Sequence, residues 1–88
     1  MNISVIIPAY NEEKYLEKTL QALHTVEIIV VCNGCSDKTE EIARRYTDKV
    51  LVLKEKGVSR ARNAGAKIAS HQMLVFLDAD TQLAPDTL

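Results

Sequence analysis

The apolar residues of this chain are grouped into four short runs, separated by longer segments of mixed polarity. The runs occupy residues 3–7, 28–32, 50–53 and 73–77, and Ser4 is the only polar residue inside them. A strand with one face in water alternates apolar and polar residues, whereas a strand covered on both faces does not. The pattern therefore predicts four buried strands, one for each run, with residues 73–77 as the fourth.

The segment after the first run has helical periodicity. Asn11 can act as an N-cap, and Glu12 and Glu13 suit a first turn, where the helix dipole favours negative charge. The apolar positions that follow recur at helical spacing: Tyr15, Leu16, Leu20 and Leu23. We therefore expect a helix over residues 12–24.

Two further helices are predicted between the remaining runs. Asp37 and Glu40 fit a capping box at the start of the second helix. The apolar side of the second helix consists of Ile42, Ala43 and Tyr46, and that of the third consists of Val58, Ala61, Ala64 or Gly65, and Ile68. Gly65 counts against the third helix, because glycine inside a helix costs about 1 kcal/mol relative to alanine.

Strands and helices thus alternate in the order βαβαβαβ. This order, with strands buried on both faces, predicts an α/β fold built on a Rossmann-like, doubly wound, mostly parallel sheet. In open sheets of this kind, ligands bind outside the carboxyl ends of the strands. The segments that follow the four runs, "PAYNEE", "CNGCSD", "KEKGVSRAR" and "DADTQ", should therefore meet at one edge.

Asp78 and Asp80 follow the fourth run directly. In extended backbone, residues two apart point the same way, so both carboxylates are expected to face one small volume. Carboxylate oxygens suit Mg²⁺ or Mn²⁺, and Mg²⁺ commonly completes its shell with water and substrate phosphates. The pair therefore predicts a divalent metal and a phosphorylated partner. The alternative is that both residues only close the strand in a turn or a cap.

A basic segment supports a phosphorylated partner. Residues 54–67 contain five cations and one acid. Arg60 and Arg62 lie near the predicted start of the third helix, where backbone N–H groups also favour anions. Arginine can offer two donors to phosphate oxygens. A solvated helix face is the alternative interpretation of the same charges.

Charge and composition limit the classes of function. A formal net charge of −1 over 88 residues argues against a nucleic-acid-binding surface, so we expect no nucleic-acid partner. No apolar run approaches the roughly 18 to 20 residues that span a bilayer. Two cysteines are too few for a disulfide framework. We therefore expect a cytoplasmic location, or the cytoplasmic face of a membrane for a longer chain.

Cys32 and Cys35 form a C-x-x-C pair that could be redox-active or half of a zinc site. A zinc site needs two more ligands, and His24 and His71 show no suitable spacing. The other interpretation is structural, with Cys32 buried at the end of the second strand and Cys35 in the following turn.

Four segments together resemble the amino-terminal half of family-2 glycosyltransferases, which have the GT-A fold: "SVIIPAYNEEKYLEKTLQAL", "EIIVVCNGCSDKTEEIA", "GVSRARNAGAKIA" and "MLVFLDADTQLAPDTL". The resemblance implies transfer of a sugar from a nucleotide diphosphate donor to an acceptor, with inversion at the anomeric carbon and with a divalent metal, Mg²⁺ or Mn²⁺. It also implies that residues 1–88 are the nucleotide-sugar-binding half of a longer domain.

The resemblance assigns a nucleotide pocket by motif. It implies that this pocket is lined by Pro8, Tyr10 and Glu12. The family usually has an acid pair after the second strand, one member of which contacts the base, and here those places hold Cys32 and Asn33. Asn33 can still donate and accept hydrogen bonds, so we expect it at the base.

The resemblance also assigns a metal and diphosphate region. Asp78 would lie near the ribose and the metal, and Asp80 would hold the metal against the diphosphate. Gln82 would assist, as a polar residue there does in similar polyprenyl-phosphate sugar transferases. Arg60 or Arg62 would approach the donor.

The family's catalytic base and acceptor-binding elements lie further along its chains than the position of Leu88. We therefore expect these 88 residues to bind donor weakly and to transfer no sugar. The acceptor is open and could be lipid-linked or a saccharide. Two other classes stay open: a non-catalytic metal- and phosphate-binding α/β module, and a nucleotidyltransferase. Neither G-x-G-x-x-G nor a P-loop occurs, which disfavours dinucleotide and P-loop sites.

Overall fold

The computed structural model describes residues 2–23, 25–54 and 57–79. In chain order its elements are β1 Ile3–Ala9, α1 Leu16–Gln21, β2 Glu27–Asn33, α2 Thr39–Arg44, β3 Val50–Leu53, α3 Val58–Ile68 and β4 Met73–Phe76. The strands form one sheet in the order β3-β2-β1-β4, and each neighbouring pair is parallel. The predicted alternation of elements and the parallel α/β fold are confirmed.

Helices cover both faces of this sheet. On one face, α1 and α2 pack against β1 and β2 through a cluster whose buried members include Val5, Ile7, Leu16, Leu20, Val30 and Ile42. On the other face, α3 packs through a smaller cluster of Ile6, Ile29, Val31 and Ala61. Successive residues of β1 and β2 therefore enter different cores, which explains why their sequences are apolar without alternation.

The fourth strand differs from the prediction. Within the described residues, β4 lies at the edge of the sheet and pairs with β1, and its Met73 and Phe76 are 61 % and 44 % exposed. The expectation that residues 73–77 are buried on both faces is therefore wrong for the described chain. It is also wrong for the other edge strand, β3, whose Val52 is 50 % exposed. An edge position, which a run of five apolar residues does not reveal, accounts for the difference.

The first helix is shorter than the predicted range of 12–24. It begins at Leu16, and Tyr15, which is 52 % exposed, occupies the N-cap position without a capping side-chain bond. Asn11 does not cap this helix. Its backbone has a φ of 49°, a left-handed conformation that asparagine tolerates better than most residues, and it turns the chain out of β1.

The predicted capping box of the second helix is also wrong. Lys38 is the N-cap of α2, and Glu40 forms an ion pair with Arg44 one turn later. Asp37 nevertheless contributes at this helix start, because its Oδ1 accepts a hydrogen bond from the Thr39 N–H at 2.9 Å. The acid thus satisfies one of the unpaired donors of the first turn.

Gly65 allows α3 to approach the sheet closely. A Cβ atom at this position would lie 2.5 Å from Ile6 Cγ2 and 3.3 Å from Val31 Cγ2. Both neighbours are fully buried side chains of the central strands. The glycine that counted against the helix prediction is therefore the residue that allows α3 to pack closely on the sheet.

We expect Gly65→Ala to lower the free energy of unfolding by about 1–3 kcal/mol, because overpacking outweighs the gain in helix propensity. Urea denaturation would measure the change. Gly57→Ala is the control, since a Cβ there meets its nearest atom, Arg60 Cβ, at 3.6 Å. That control should change stability by no more than about 0.5 kcal/mol. Equal effects at both glycines would contradict the close-packing argument.

A polar cluster ties the amino-terminal edge of the sheet together. Glu27 accepts hydrogen bonds from Ser4 Oγ at 2.6 Å and from the Ser70 N–H at 2.8 Å, and it forms an ion pair with Lys49. Lys49 Nζ also donates to Ser70 Oγ at 2.9 Å, and the His71 N–H donates to Ser4 Oγ at 3.2 Å. The cluster therefore connects β1 and β2 to the turn between α3 and β4.

Burial by itself raises the pKa of Glu27, but the hydrogen bonds of this cluster outweigh it and lower that pKa far below the ordinary 4.5. A depressed carboxyl pKa stabilises the fold fully above the unfolded-state value, and the contribution is lost as the pH falls through the folded-state value. Glu27→Gln should therefore lower stability by about 1–3 kcal/mol at neutral pH.

The difference between wild type and Glu27→Gln should shrink as the pH falls below 4.5, which denaturant unfolding over a pH series would measure. Glu41→Gln is the control, because Glu41 is 63 % exposed in its pair with Arg45. A difference that does not depend on pH would contradict this account of Glu27.

Candidate functional site

A cleft of about 300 Å³ opens at the carboxyl ends of the strands. In the described part of the chain, its walls are formed by Pro8, Tyr10, Glu12, Asn33, Val58, Asp78 and Ala79. These residues come from the segments that end or follow all four strands. The cleft lies where the strand order changes direction, with β2 on one side of β1 and β4 on the other. Such switch points are the usual ligand sites of open α/β sheets.

The structure brings together five of the residues that sequence reasoning selected, and the cleft walls contain all five: Pro8, Tyr10, Glu12, Asn33 and Asp78. Arg60 and Arg62 lie on α3, and neither is among the lining residues that the structure describes. Val58, which sequence reasoning took only as an apolar helix position, also lines the cleft.

Besides His24, three positions named in the sequence predictions lie outside the described residues. Two of them are the expected metal ligands Asp80 and Gln82. The third is Leu88, the position after which we expect the catalytic base. The metal-ligand assignments at these positions and the location of the base therefore stay predictions.

The loop after β1 is fastened to the loop after β2 by Asn11. Its Oδ1 accepts hydrogen bonds from the Ser36 N–H at 2.8 Å and from the Asp37 N–H at 3.3 Å. A single side-chain oxygen thus satisfies two backbone donors of a neighbouring loop. Asn11 makes these bonds from a left-handed backbone conformation.

A second set of bonds reinforces this connection. The Glu12 N–H donates to Thr39 Oγ1 at 2.8 Å, and the Glu13 N–H donates to Asp37 Oδ2 at 3.3 Å. Partial burial tends to raise the pKa of Asp37, but the hydrogen bonds from Thr39 and Glu13 prevail and lower that pKa. The backbone that carries Tyr10 and Glu12 into the cleft is therefore held by α2 and the loop before it.

Asn33 connects the end of β2 to the start of α3. Its side chain is almost fully buried, and its Oδ1 accepts a hydrogen bond from the Gly57 N–H at 2.7 Å. The carbonyl half of this amide is therefore engaged within the protein. Sequence reasoning placed Asn33 at the base with both hydrogen-bonding halves available, and the structure shows that the acceptor already has a protein partner.

The two arginines of α3 are exposed and occupy its first two turns. The guanidinium carbon of Arg62 lies 6.0 Å from the centroid of the Phe76 ring, a cation–π distance. Phe76 is the last residue of β4 and precedes Asp78 by two positions. The guanidinium group of Arg62 thus lies beside the strand that leads into the cleft.

The strand does not continue as far as Ala79, although the Leu77 N–H still donates to the Ile6 carbonyl at 3.0 Å. β4 ends at Phe76, Asp78 is exposed, and Ala79 lies in a turn. Residues two apart face the same way only in extended backbone, and Ala79 does not lie in such a segment. The expectation that Asp78 and Asp80 face one volume stays a prediction, since Asp80 lies outside the described residues. Ala79 itself is buried, and its carbonyl oxygen accepts a hydrogen bond from Thr19 Oγ1 of α1 at 2.8 Å.

The environments of Cys32 and Cys35 agree with the structural interpretation, which was the alternative to a redox or zinc role. Both are free thiols, Cys32 is fully buried, and Cys35 Sγ donates to the Ala9 carbonyl at 3.3 Å. Burial, with the neighbouring Cys35, raises the pKa of Cys32 to about 12. Among the described residues, no group of three or more histidines, cysteines or acids could hold a metal ion.

Comparison with known proteins identifies the family. The family described as Glycosyl transferase family 2 matches residues 4–88. The chain belongs to this family. The parallel sheet with interleaved helices matches solved structures of the GT-A fold, so the fold is GT-A.

The chain is 40 % identical to a dolichol-phosphate mannosyltransferase of Pyrococcus furiosus over 100 residues, which covers 100 % of this chain and 28 % of that protein. The structure of S. aureus TarS 1–349 matches with a TM-score of 0.85 and 31 % identity, over 100 % of this chain and 30 % of that one.

Glucosyl-3-phosphoglycerate synthase from Mycobacterium tuberculosis, solved in complex with UDP, matches with a TM-score of 0.74 and 29 % identity. That match covers 90 % of this chain and 34 % of the other. The chain thus spans about a third of the length of each of these three proteins. Within residues 2–23, 25–54 and 57–79, no helix is long and apolar enough to cross a membrane.

The connection between the first two loops can be tested with Asn11→Gly, which keeps the positive φ and removes the acceptor oxygen. We expect hydrogen exchange of the Ser36 amide to accelerate by about tenfold, because one hydrogen bond is lost. Asn11→Asp, which retains an acceptor at the same place, should exchange at nearly the wild-type rate. Equal acceleration in both variants would show that Asn11 Oδ1 does not hold this loop.

Proposed function

We propose that these residues form the donor-binding half of an inverting, metal-dependent glycosyltransferase that uses a nucleotide diphosphate sugar. The observation that carries the proposal is the cleft at the carboxyl edge, which gathers Pro8, Tyr10, Glu12, Asn33 and Asp78 from separate segments. The complex of a similar family member with UDP supports a nucleotide-based donor.

In this proposal the base and ribose occupy the wall formed by the first two loops. Tyr10 is 40 % exposed and offers an aromatic surface for stacking. Glu12 supplies acceptor oxygens for hydroxyl or N–H groups of the nucleoside. The Oδ1 of Asn33 is engaged by Gly57, so Asn33 would support the wall of the base pocket.

The donor set suits a metal that is shared with the ligand. Asp78 places an exposed carboxylate in the cleft wall, and Asp80 follows two residues later in the sequence. Mg²⁺ and Mn²⁺ accept one or two carboxylates together with water and phosphate oxygens, so a complete protein cage is not required. A metal bound there would supply electrostatic stabilisation of the leaving diphosphate.

Arg60 or Arg62 would approach the donor from the side of α3. Both side chains are exposed, and Arg62 lies against Phe76 near the end of β4. A guanidinium group offers two donors to phosphate oxygens and stays charged at all physiological pH values. In our proposal, these cations add to the positive charge that the diphosphate meets.

Sugar transfer also needs a base within hydrogen-bond reach of the acceptor hydroxyl. We assign the carboxylates that line the described cleft, Glu12 and Asp78, to the donor. We therefore propose that the base and the acceptor site, for a lipid-linked or saccharide acceptor, belong to sequence other than these 88 residues. The 88-residue chain should then bind donor and show no transferase turnover.

Calorimetric titration of UDP and GDP, with and without Mn²⁺, tests the donor site. We expect Mn²⁺ to increase affinity for one nucleotide by about tenfold or more in wild type, and we expect this increase to be lost in Asp80→Ala. Asp48→Ala is the matched control, because Asp48 is an exposed acid at the opposite edge of the sheet. It should behave like wild type.

Two outcomes would count against the proposal. Binding of inorganic phosphate as tight as that of either nucleotide would favour a non-catalytic phosphate-binding module. Sugar transfer by the 88-residue chain, measured as nucleotide release from a donor sugar in the presence of saccharide acceptors, would contradict the assignment of the base to other sequence.

A further inference from the structure

Thr19 of α1 makes a buried hydrogen bond to the turn between the two aspartates of the D-x-D segment. Its Oγ1 donates to the Ala79 carbonyl oxygen at 2.8 Å, across 60 positions of sequence. Both residues are only 2 % exposed. A buried carbonyl without a partner costs on the order of 1–3 kcal/mol, so this bond fixes the turn in place.

A hydroxyl at this position is not needed by the helix itself. The core-facing side of α1 is otherwise apolar, with Leu16 and Leu20 on either side of Thr19. Thr19 Oγ1 also lies 3.3 Å from the Tyr15 carbonyl, the usual local partner of a helical threonine, but the bond to Ala79 is the shorter one. The geometry therefore favours the partner across the fold.

The bonded carbonyl has a particular consequence for the two aspartates. The Ala79 carbonyl belongs to the planar peptide unit that leads to the next residue, and a planar unit has no internal rotation. Holding its oxygen therefore fixes the orientation of this peptide unit in the turn that follows Asp78. The same turn carries Asp78, which lines the cleft.

We propose that Thr19 is a positioning residue that orients the D-x-D turn for metal-dependent donor binding. This inference rests on the proposed function. The helix that carries Thr19 is also fixed to the other wall of the cleft, since the Glu12 carbonyl accepts hydrogen bonds from the Tyr15 and Leu16 N–H groups at 3.0 Å and 2.9 Å. The single helix α1 thus makes hydrogen bonds to both walls of the cleft.

The test compares Thr19→Val, which keeps the shape and removes the donor, with Thr19→Ser, which keeps the hydroxyl. UDP and GDP are titrated with and without Mn²⁺, and the measured quantity is the increase in affinity that Mn²⁺ produces. Thr19→Val should reduce this increase by about tenfold, as for other residues that orient metal ligands. Its affinity for the nucleotide without metal should stay within about twofold of the wild-type value. Thr19→Ser should retain most of the increase.

Thr47→Val is the matched control. Thr47 Oγ1 donates to the Ile28 carbonyl at 2.7 Å, which is the same kind of bond at the opposite edge of the sheet. Thermal unfolding of both valine variants measures the structural cost of losing such a bond. Only Thr19→Val should change the Mn²⁺ effect. If Thr19→Val does not fold, Thr19→Ala against Thr19→Ser makes the same comparison.

The outcomes separate the two proposals. If wild type shows no Mn²⁺ effect with either nucleotide, the proposed function fails before Thr19 is considered. If wild type shows the effect and Thr19→Val keeps it, the positioning role is overturned and the proposed function stands. A loss of metal-free affinity equal to the loss with Mn²⁺, or an equal loss in Thr47→Val, would also overturn the positioning role.

Discussion

Parallel pairing of β1 with β2 on one side and β4 on the other is the constraint on which the candidate site depends. Because the strands run the same way, their carboxyl ends lie at one edge, and every loop that follows a strand starts there. Segments far apart in sequence, from Tyr10 to Asp78, therefore share one cleft. The apolar residues of β1 and β2 hold this arrangement by filling a core on each face.

Side-chain hydrogen bonds to backbone groups then give the cleft its shape. Asn11 holds the loop after β2, Asn33 holds the start of α3, and Thr19 holds the turn after β4. Each of these bonds joins two segments that the sheet brings close but does not itself connect. Such bonds are directional, so they fix loop geometry in a way that apolar burial does not.

The two edges of the sheet have different chemistry. At the amino-terminal edge, Glu27, Lys49 and Ser4 bond to one another and to the turn at Ser70. At the carboxyl edge, Tyr10 and Asp78 are exposed toward the cleft. Polar groups that satisfy each other stabilise the fold, whereas the switch point of an open α/β sheet is where ligands usually bind.

Apolar run length and helical spacing determined the order of elements, and the residues following each strand could be assigned to one edge from topology alone. These signals are local, because a strand that is buried on both faces has consecutive apolar residues. The exposure of β4, the close approach at Gly65 and the partners of Asn11 and Thr19 were decided by the tertiary structure. Each depends on where another segment of the chain lies, and the identity of a residue does not specify how far it is from that segment.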